Sequence, residues 1–214
     1  MKDIYVLGVG HNTIVCIDLV EACGSHIAGL YHFDDSRTGE KYFDYPIIGS
    51  FADLYSKGDL SNMYFVLSQG DNKIRKTVFE NIKRLNGNFP SLIHPTAVVS
   101  KYSIIGEGVI VHANAVIDPD TKIGNDSVIS FNAGICHSSS IGAHCYISPG
   151  AIVGAYTKVE DSVFIGLQAT IISGKVEVIA EDSIIGASAL VNKSVLEKSI
   201  MIGNPARKYE ANKK

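Results

Sequence analysis

The sequence predicts a two-part fold: an α/β domain with a small parallel, Rossmann-like sheet, followed by an all-β coil, a parallel β-helix. Two observations predict this division. Residues 1 to about 90 alternate short apolar runs with amphipathic stretches, as strands that alternate with helices do. From Ile93 onward, a β-branched residue recurs every six residues instead. We therefore predict domains at residues 1–90 and 91–214.

The first domain contains the pattern of a small parallel sheet of the mononucleotide-binding kind. Four apolar runs predict its strands, at 4–7, 27–33, 47–48 and 63–67. Two amphipathic stretches predict its helices, one over 13–23 and one that opens at 70–72. The second helix is expected to bury one apolar face, formed by Ile74, Val78, Ile82 and Leu85.

Two pairs of residues at the ends of predicted strands are candidates for substrate contacts. Gly8 and Gly10 follow the first strand, where they either bring a phosphate to a helix N-terminus or form only a tight strand–helix turn. The third glycine of the dinucleotide fingerprint is replaced by Thr13. Asp34 and Asp35 end the second strand, where they either accept hydrogen bonds from a ribose or base or form a solvated pair.

The coil is predicted from its spacing. Fourteen positions at intervals of six, from Ile93 to Ile171, are all Ile or Val. A period of six fits neither a helix nor a plain strand. It fits a coil with three flat faces per turn, in which the β-branched residue points inward and stacks on its equivalents in adjacent turns. Small residues four places on fit near the corners, and Gly or Asn is expected to supply the corner dihedral angles.

The six-residue register slips once. After Ile171 it resumes at Ile179, a step of eight, and continues through Ile185 and Val191. The two extra residues predict a bulge within 174–178, and the whole series contains 17 units. We expect the coil to end at 202–207.

Composition excludes several classes of partner. The net charge is −3 and there is no long basic run, so neither nucleic acid nor an anionic membrane surface is expected. No apolar stretch has the length of a membrane span, and the N-terminal run does not have the form of a signal peptide. Four cysteines without a CxxC pair indicate reduced thiols and a cytoplasmic protein. The histidines have no metal-ligand spacing, so no metal is expected.

Both halves resemble known proteins. The repeat, [Ile/Val]-Gly-x-x-[small]-x, resembles that of the hexapeptide-repeat acyltransferases, which implies a left-handed parallel β-helix. The whole chain resembles the sialic-acid O-acetyltransferase-like sugar acyltransferases, including N-acetyltransferases of nucleotide-linked amino sugars of the bacillosamine and perosamine type. The matching motifs are Gly8-Val9-Gly10, Phe33-Asp34-Asp35, Ile48-Gly49-Ser50, Gly70-Asp71-Asn72 with Arg75, Ile93-His94-Pro95 and Gly203-Asn204-Pro205-Ala206.

The resemblance implies two substrates and an assembly. The first domain is expected to hold a nucleotide-linked amino sugar, with contacts from Gly8, Gly10, Asp34, Asp35, Gly70 and Asn72. The coil is expected to form a homotrimer with active sites between subunits and acetyl-CoA in the groove between coils. The implied acetyl-CoA contacts are Tyr146, Ala155, Gly166, Gly186, Pro205 and Arg207, with Lys193 as a further candidate.

The resemblance also implies a general base, His137, which without it would be an exposed polar corner. The family usually places an acidic residue directly after this histidine, and this chain has Ser138. The chain also has Ser130 at a family asparagine and Tyr146 at a second family histidine; His144 is a less favoured stand-in. We interpret the neighbouring Cys136 as a packing residue rather than as an acyl carrier.

The reaction expected from this resemblance is direct attack of a sugar amine on the acetyl-CoA thioester, with His137 accepting the proton. Two alternatives remain open. One is an O-acetyltransferase that acts on a sugar hydroxyl, for example of a sialic acid. The other is a catalytically weakened trimer that binds a sugar nucleotide or coenzyme A, which Ser138 leaves open.

Overall fold

The computed structural model describes residues 2–210. The chain divides into two compact units, Met1–Leu92 and Ile93–Lys214. The predicted fold class is confirmed, because the first unit is an α/β domain with a parallel sheet and the second is a parallel β-helix. The elements of the first unit are β1 Asp3–Leu7, α1 Thr13–Ala22, β2 His26–His32, a 3-10 turn Asp35–Arg37, β3 Lys41–Tyr42, β4 Tyr45–Ser50, α2 Phe51–Ser56, β5 Tyr64–Leu67 and α3 Asn72–Arg84.

The sheet of the first unit has the strand order β3-β4-β2-β1-β5. Its pairings are parallel except for the β3–β4 hairpin. The hairpin and α2 were not predicted, although Ser50 and Asp53 form a capping box that could have indicated the helix. The parallel arrangement brings the carboxyl ends of β1, β2 and β5 to one edge, where open α/β sheets bind their ligands.

The predicted buried face of α3 was wrong in one respect. Ile74 is 54% exposed, whereas Arg75 is fully buried. The buried residues Arg75, Val78, Phe79 and Ile82 follow the spacing of a single helix face. The sequence pattern misses this face because an arginine is counted as a polar residue. In the structure the Arg75 guanidinium has a partner, since its Nη1 donates to Asn72 Oδ1 at 3.0 Å.

The second unit consists of short strands at the predicted spacing. Seventeen two-residue strands each end at a residue of the predicted register: β6 Leu92–Ile93, β7 Val98–Val99, β8 Ile104–Ile105, β9 Ile110–Val111, β10 Val116–Ile117, β11 Lys122–Ile123, β12 Val128–Ile129, β13 Gly134–Ile135, β14 Ser140–Ile141, β15 Tyr146–Ile147, β16 Ile152–Val153, β17 Lys158–Val159, β18 Phe164–Ile165, β19 Thr170–Ile171, β20 Val178–Ile179, β21 Ile184–Ile185 and β22 Leu190–Val191. Two further strands follow, β23 Ile200–Ile202 and β24 Arg207–Lys208.

These strands form three sheets, one for each face of the coil. Sheet I contains β7, β10, β13, β16, β19 and β22; sheet II contains β8, β11, β14, β17 and β20; sheet III contains β6, β9, β12, β15, β18, β21, β23 and β24. Every register residue from Val111 to Val191 is at most 2% exposed. The prediction was wrong for Ile93, which is 37% exposed, because its strand β6 is the last strand of sheet III and has β9 as its one neighbour in that sheet.

The corner role predicted for Gly and Asn is confirmed at Gly108, Gly150, Asn114 and Asn132, which have positive φ, but the glycines directly after a register residue serve a different role. The left-handed corner conformation falls three places after the register residue, on residues such as Asn114, Asp120 and Ser138. Asn and Asp tolerate this conformation better than most residues. Gly124, which directly follows a register residue, lies against the next turn, where a Cβ would meet the Gly142 carbonyl carbon at 2.5 Å. These glycines therefore allow close approach of successive turns.

The bulge predicted after Ile171 is confirmed. Val159 pairs with Ile179, so this turn contains two extra residues, and Gly174 turns with a φ of +67°. The following turn is shorter, since Ile179 forms a bridge with Val195. The last strand, β24, pairs antiparallel to β23, so the regular coil ends close to the expected segment.

Candidate active site and nucleotide pocket

His137 lies exposed at the corner between β13 of sheet I and β14 of sheet II. Its Nδ1 atom is 3.3 Å from the Ser138 hydroxyl oxygen. The Tyr156 ring, from the next turn, meets the imidazole edge-on, with centroids 5.2 Å apart. No ion pair joins His137 to a carboxylate within residues 2–210. The imidazole is thus oriented by a hydroxyl and an aromatic edge, and its Nε2 faces away from Ser138.

Cys136 does not have the environment of a nucleophile. Burial raises the pKa of its thiol, and the neighbouring Asp118 carboxylate raises it further. Since the thiolate is the reactive form, this environment favours the inert thiol. The interpretation of Cys136 as a packing residue is therefore the better supported one.

A second histidine occupies the next corner of the same turn. His144 Nδ1 lies 2.8 Å from Asp126 Oδ2, and the two side chains are 10% and 4% exposed. They occupy equivalent corner positions in successive turns, both with left-handed backbone. The sequence analysis missed this buried pair, although the 18 residues that separate Asp126 and His144 are the length of one coil turn. The corner lies between sheets II and III, so it is distinct from that of His137.

The residues assigned to acetyl-CoA lie on several sides of the coil. Ala155 is buried one turn beyond His137 at the same corner. Tyr146 points outward from sheet III and stacks on Phe164, with centroids 5.6 Å apart. Gly166 and Gly186 lie at the corner between sheets III and I. A single coil therefore does not bring these residues into one cavity.

A cationic cavity of about 300 Å³ lies near the C-terminal end of the coil. It includes Lys193, Arg207 and Lys208, and Pro205 adjoins its lining residue Ala206. Lys208 is paired with Glu197, which raises the pKa of the lysine. Guanidinium and ammonium groups grouped in this way offer partners for phosphate oxygens.

The first unit contains a cavity of about 380 Å³ at the carboxyl edge of its sheet. It brings together three of the predicted substrate residues, Gly8, Gly10 and Gly70. Asp34, Asp35 and Asn72 do not line it. The lining residues that sequence reasoning missed are Val9, His11, Asn12, Phe33, Phe51, Ser68, Gln69 and Ile74.

The glycine turn of this cavity is held by Thr13, which is fully buried. Its hydroxyl accepts from the Gly10 N–H at 2.8 Å and lies 3.2 Å from the Ser68 hydroxyl. The Gly8 N–H donates to the Tyr31 carbonyl at 2.8 Å. Thr13 thus has a structural role, and the N–H groups of Gly8 and Gly10 are both used within the protein.

Asp34 has a local structural role that its sequence position did not reveal. Its Oδ1 accepts from the Ser36 N–H at 2.9 Å, caps the following 3-10 turn, and lies 3.1 Å from His32 Nδ1. Hydrogen bonds from Ser36 and His32 lower the pKa of this carboxyl group. A ligand would have to compete with these contacts.

Residues 2–210 contain neither a cluster of metal-ligating type nor a helix of membrane-spanning character. No group of three or more His, Cys, Asp or Glu side chains is arranged to hold a metal ion. None of the helices there combines the length and apolar character that crossing a membrane requires.

The chain is similar to known proteins in both units. Residues 3–82 match the PglD N-terminal domain, and residues 120–155 match the bacterial transferase hexapeptide family. It is 32% identical over 168 residues to GDP-perosamine N-acetyltransferase of Escherichia coli O157:H7, covering 77% of this chain and 74% of the relative. It is 28% identical over 114 residues to UDP-N-acetylbacillosamine N-acetyltransferase of Bacillus subtilis (strain 168), covering 52% of this chain and 51% of that relative.

Solved structures agree over nearly the whole chain. PerB from Caulobacter crescentus in complex with CoA and GDP-perosamine superposes with a TM-score of 0.87, 27% identity and 98% coverage of both chains. The acetyltransferase domain of PglB from Neisseria gonorrhoeae FA1090 in complex with acetyl coenzyme A gives a TM-score of 0.88, 27% identity and coverage of 97% and 99%.

The coil of six-residue repeats and the family match define a hexapeptide-repeat acyltransferase. The chain belongs to the family of nucleotide-sugar N-acetyltransferases in which a PglD N-terminal domain accompanies this coil. The resemblance read from the sequence, the enzyme class and the acetyl-CoA co-substrate are therefore confirmed for the family.

Proposed function

We propose that this protein transfers the acetyl group of acetyl-CoA to the amino group of a nucleotide-linked amino-deoxy sugar. The amine attacks the thioester carbonyl, a C–N bond forms, and the C–S bond breaks. The amine proton passes to His137 Nε2 and then to the departing coenzyme A thiolate. For Nε2 to accept it, Nδ1 must carry a hydrogen and donate it to Ser138 Oγ.

The observation that carries this proposal is the exposed His137 on an intact family scaffold, with its Nδ1 atom against a hydroxyl. A hydroxyl orients the imidazole but stabilises imidazolium less than a carboxylate does. An alcohol acceptor needs more assistance from a base than a neutral amine does. We therefore assign an amine as the acceptor in preference to a hydroxyl.

The test is release of free coenzyme A thiol from acetyl-CoA in the presence of UDP-, dTDP- and GDP-linked 4-amino sugars, with the N-acetylated product identified by mass. We expect turnover with at least one of them. Turnover only with hydroxyl acceptors would replace the amine assignment. Binding of both substrates without turnover would favour the catalytically weakened trimer.

Ser138→Asp is expected to raise turnover by up to about tenfold, because a carboxylate would stabilise the imidazolium that His137 becomes. Residue 138 has a φ of +55°, which Asp tolerates, so the fold should be retained.

Ser138→Asn is the matched control, since it tolerates the same backbone and adds no charge. Turnover of Ser138→Asn should not rise above that of the wild type. Unchanged or lower turnover in Ser138→Asp would contradict the idea that the missing acid limits the reaction.

We also propose that the coil assembles as a homotrimer through sheet I, with active sites between subunits. The outward residues Val98, Val116 and Ile152 of this sheet are 63%, 40% and 37% exposed. Phe131 and Leu167, at the corner that leads into it, are 51% and 54% exposed. A contiguous apolar face of this kind is typical of an interface.

His137 borders sheet I, whereas Tyr146 points outward from sheet III. Residues on separate sides of one coil can meet only when neighbouring subunits contribute them. This placement supports an acetyl-CoA site between subunits, with the cationic cavity near Arg207 as the candidate site for its phosphates.

Val116→Lys is expected to convert the trimer to monomers, because the interface would have to bury three lysine charges. Light scattering after size exclusion measures the change. Ile104→Lys is the control, since Ile104 is the outward residue of β8 in sheet II and is 61% exposed. A trimer that persists in Val116→Lys, or is lost in both variants, would contradict the assignment of sheet I.

We place the protein in the cytoplasm. The four cysteines, all within residues 2–210, are thiols and not disulfides. Persistent thiols are typical of a reducing compartment.

A further inference from the structure

Gln69 lies immediately beyond β5 and lines the cavity of the first unit. Its Oε1 atom is buried and has no hydrogen-bond partner. Among residues 2–210 it is the only buried side-chain oxygen or nitrogen atom in this condition. An unpaired buried acceptor costs folding free energy, so its presence beside a cavity indicates a partner supplied by a ligand.

The fold makes room for this carboxamide. A Cβ on Gly8 would lie 2.3 Å from Gln69 Nε2 and 2.9 Å from Ser68 Oγ. Gly8 also has a φ of +97°, which disfavours any other residue. The glycine turn thus holds space for the Gln69 amide. The terminal torsion of a glutamine is soft, so a modest rotation can turn Oε1 toward a ligand.

The chemistry of the cavity limits what this ligand is. A carbonyl oxygen cannot pair with a phosphate oxygen, because both are acceptors, so the partner must offer N–H or O–H. Two large apolar side chains that line the cavity are exposed, Phe33 by 69% and Ile74 by 54%, beside the exposed polar residues His11 and Asn12. Flat apolar surfaces suit a heteroaromatic ring better than a hydroxyl-rich sugar.

We propose that the Gln69 carboxamide pairs with the N–H edge of the nucleobase and so selects the nucleotide to which the amino sugar is linked. This inference rests on the proposed function for the presence of a nucleotide. A glutamine amide offers one donor and one acceptor side by side, and it matches any base edge that presents an N–H next to a carbonyl, as in uracil, thymine and guanine.

The sharpest test replaces the amide donor with a second acceptor. Gln69→Glu should favour guanine, because a carboxylate accepts from N1–H and the 2-amino group together. It should disfavour uracil and thymine, whose single N–H is flanked by carbonyl oxygens. We expect the ratio of the Kd of UDP to the Kd of GDP, measured by calorimetry, to rise by about tenfold or more in Gln69→Glu.

Gln69→Leu is the second variant, similar in size but without polar atoms. It should weaken UDP, dTDP and GDP while leaving ribose 5-phosphate, which has no base, unchanged. Circular dichroism of both variants checks the fold. If Gln69→Glu fails to fold, the comparison of the nucleotides with ribose 5-phosphate in Gln69→Leu still tests whether Gln69 contacts the base.

Two outcomes would overturn the proposal. Equal changes for all nucleotides and for ribose 5-phosphate would indicate a hydroxyl partner, while the proposed function would stand. If the wild-type protein binds none of the nucleotides, the nucleotide-linked substrate itself is wrong. The acetyl-transfer assay separates the two cases, because it measures turnover of the nucleotide-linked amino sugars directly and does not depend on the binding titrations.

Discussion

His137→Ala is expected to lower kcat for acetyl transfer by about 100-fold to 10,000-fold, the range typical of losing a general base. The imidazole is exposed at a coil corner and contacts Ser138 and Tyr156 through its side chain. Its removal should therefore leave the fold and the affinity for both substrates nearly unchanged. Thiol release measures kcat, and calorimetry measures substrate binding.

His26→Ala is the control, because this histidine is also exposed and contacts only Asp3 through its ring. It should keep full activity. If His137→Ala retains full acetyl transfer, the base lies elsewhere, and the buried His144–Asp126 pair becomes the group to test next. A variant that loses substrate binding together with kcat would instead indicate a positioning role for His137.

The coil could be predicted from the sequence because one physical requirement repeats. Each face of each turn buries one β-branched residue, so Ile or Val recurs every six residues from Ile93 to Ile171. Ile93 is exposed because it lies at the end of the coil, where a turn stacks on it from one side. A periodic sequence pattern does not predict such an end effect. In the first unit, β1, β2 and β5 could be predicted from their apolar runs, whereas the β3–β4 hairpin could not.

The site was less predictable, because its residues are defined by contacts across the fold. Asp34 ends a strand as a ribose-binding acid would, yet its oxygen caps a turn. Gln69 has no sequence signature, and it became visible through its unpaired oxygen and its approach to Gly8. The His144–Asp126 pair joins residues one coil turn apart, a distance that only the three-dimensional register converts into contact.

Gly124→Ala is expected to lower the free energy of unfolding of the coil by about 3 kcal/mol, near the top of the usual range for overpacking. An added Cβ would lie 2.5 Å from the Gly142 carbonyl carbon and 2.6 Å from the Ala143 nitrogen. Both are backbone atoms of the next turn, so the turns themselves would have to separate. Denaturant unfolding followed by circular dichroism measures the change.

Gly134→Ala separates this clash from the general effect of replacing a glycine. Its Cβ would meet only the Ile152 Cδ1 methyl, at 2.9 Å, and a methyl at the end of a side chain can rotate away. Neither glycine has a positive φ, so alanine restricts the unfolded chain equally in both variants. We expect Gly134→Ala to stay within about 1 kcal/mol of the wild type. Equal destabilisation of the two variants would contradict the close approach of successive turns as the reason for a glycine at residue 124.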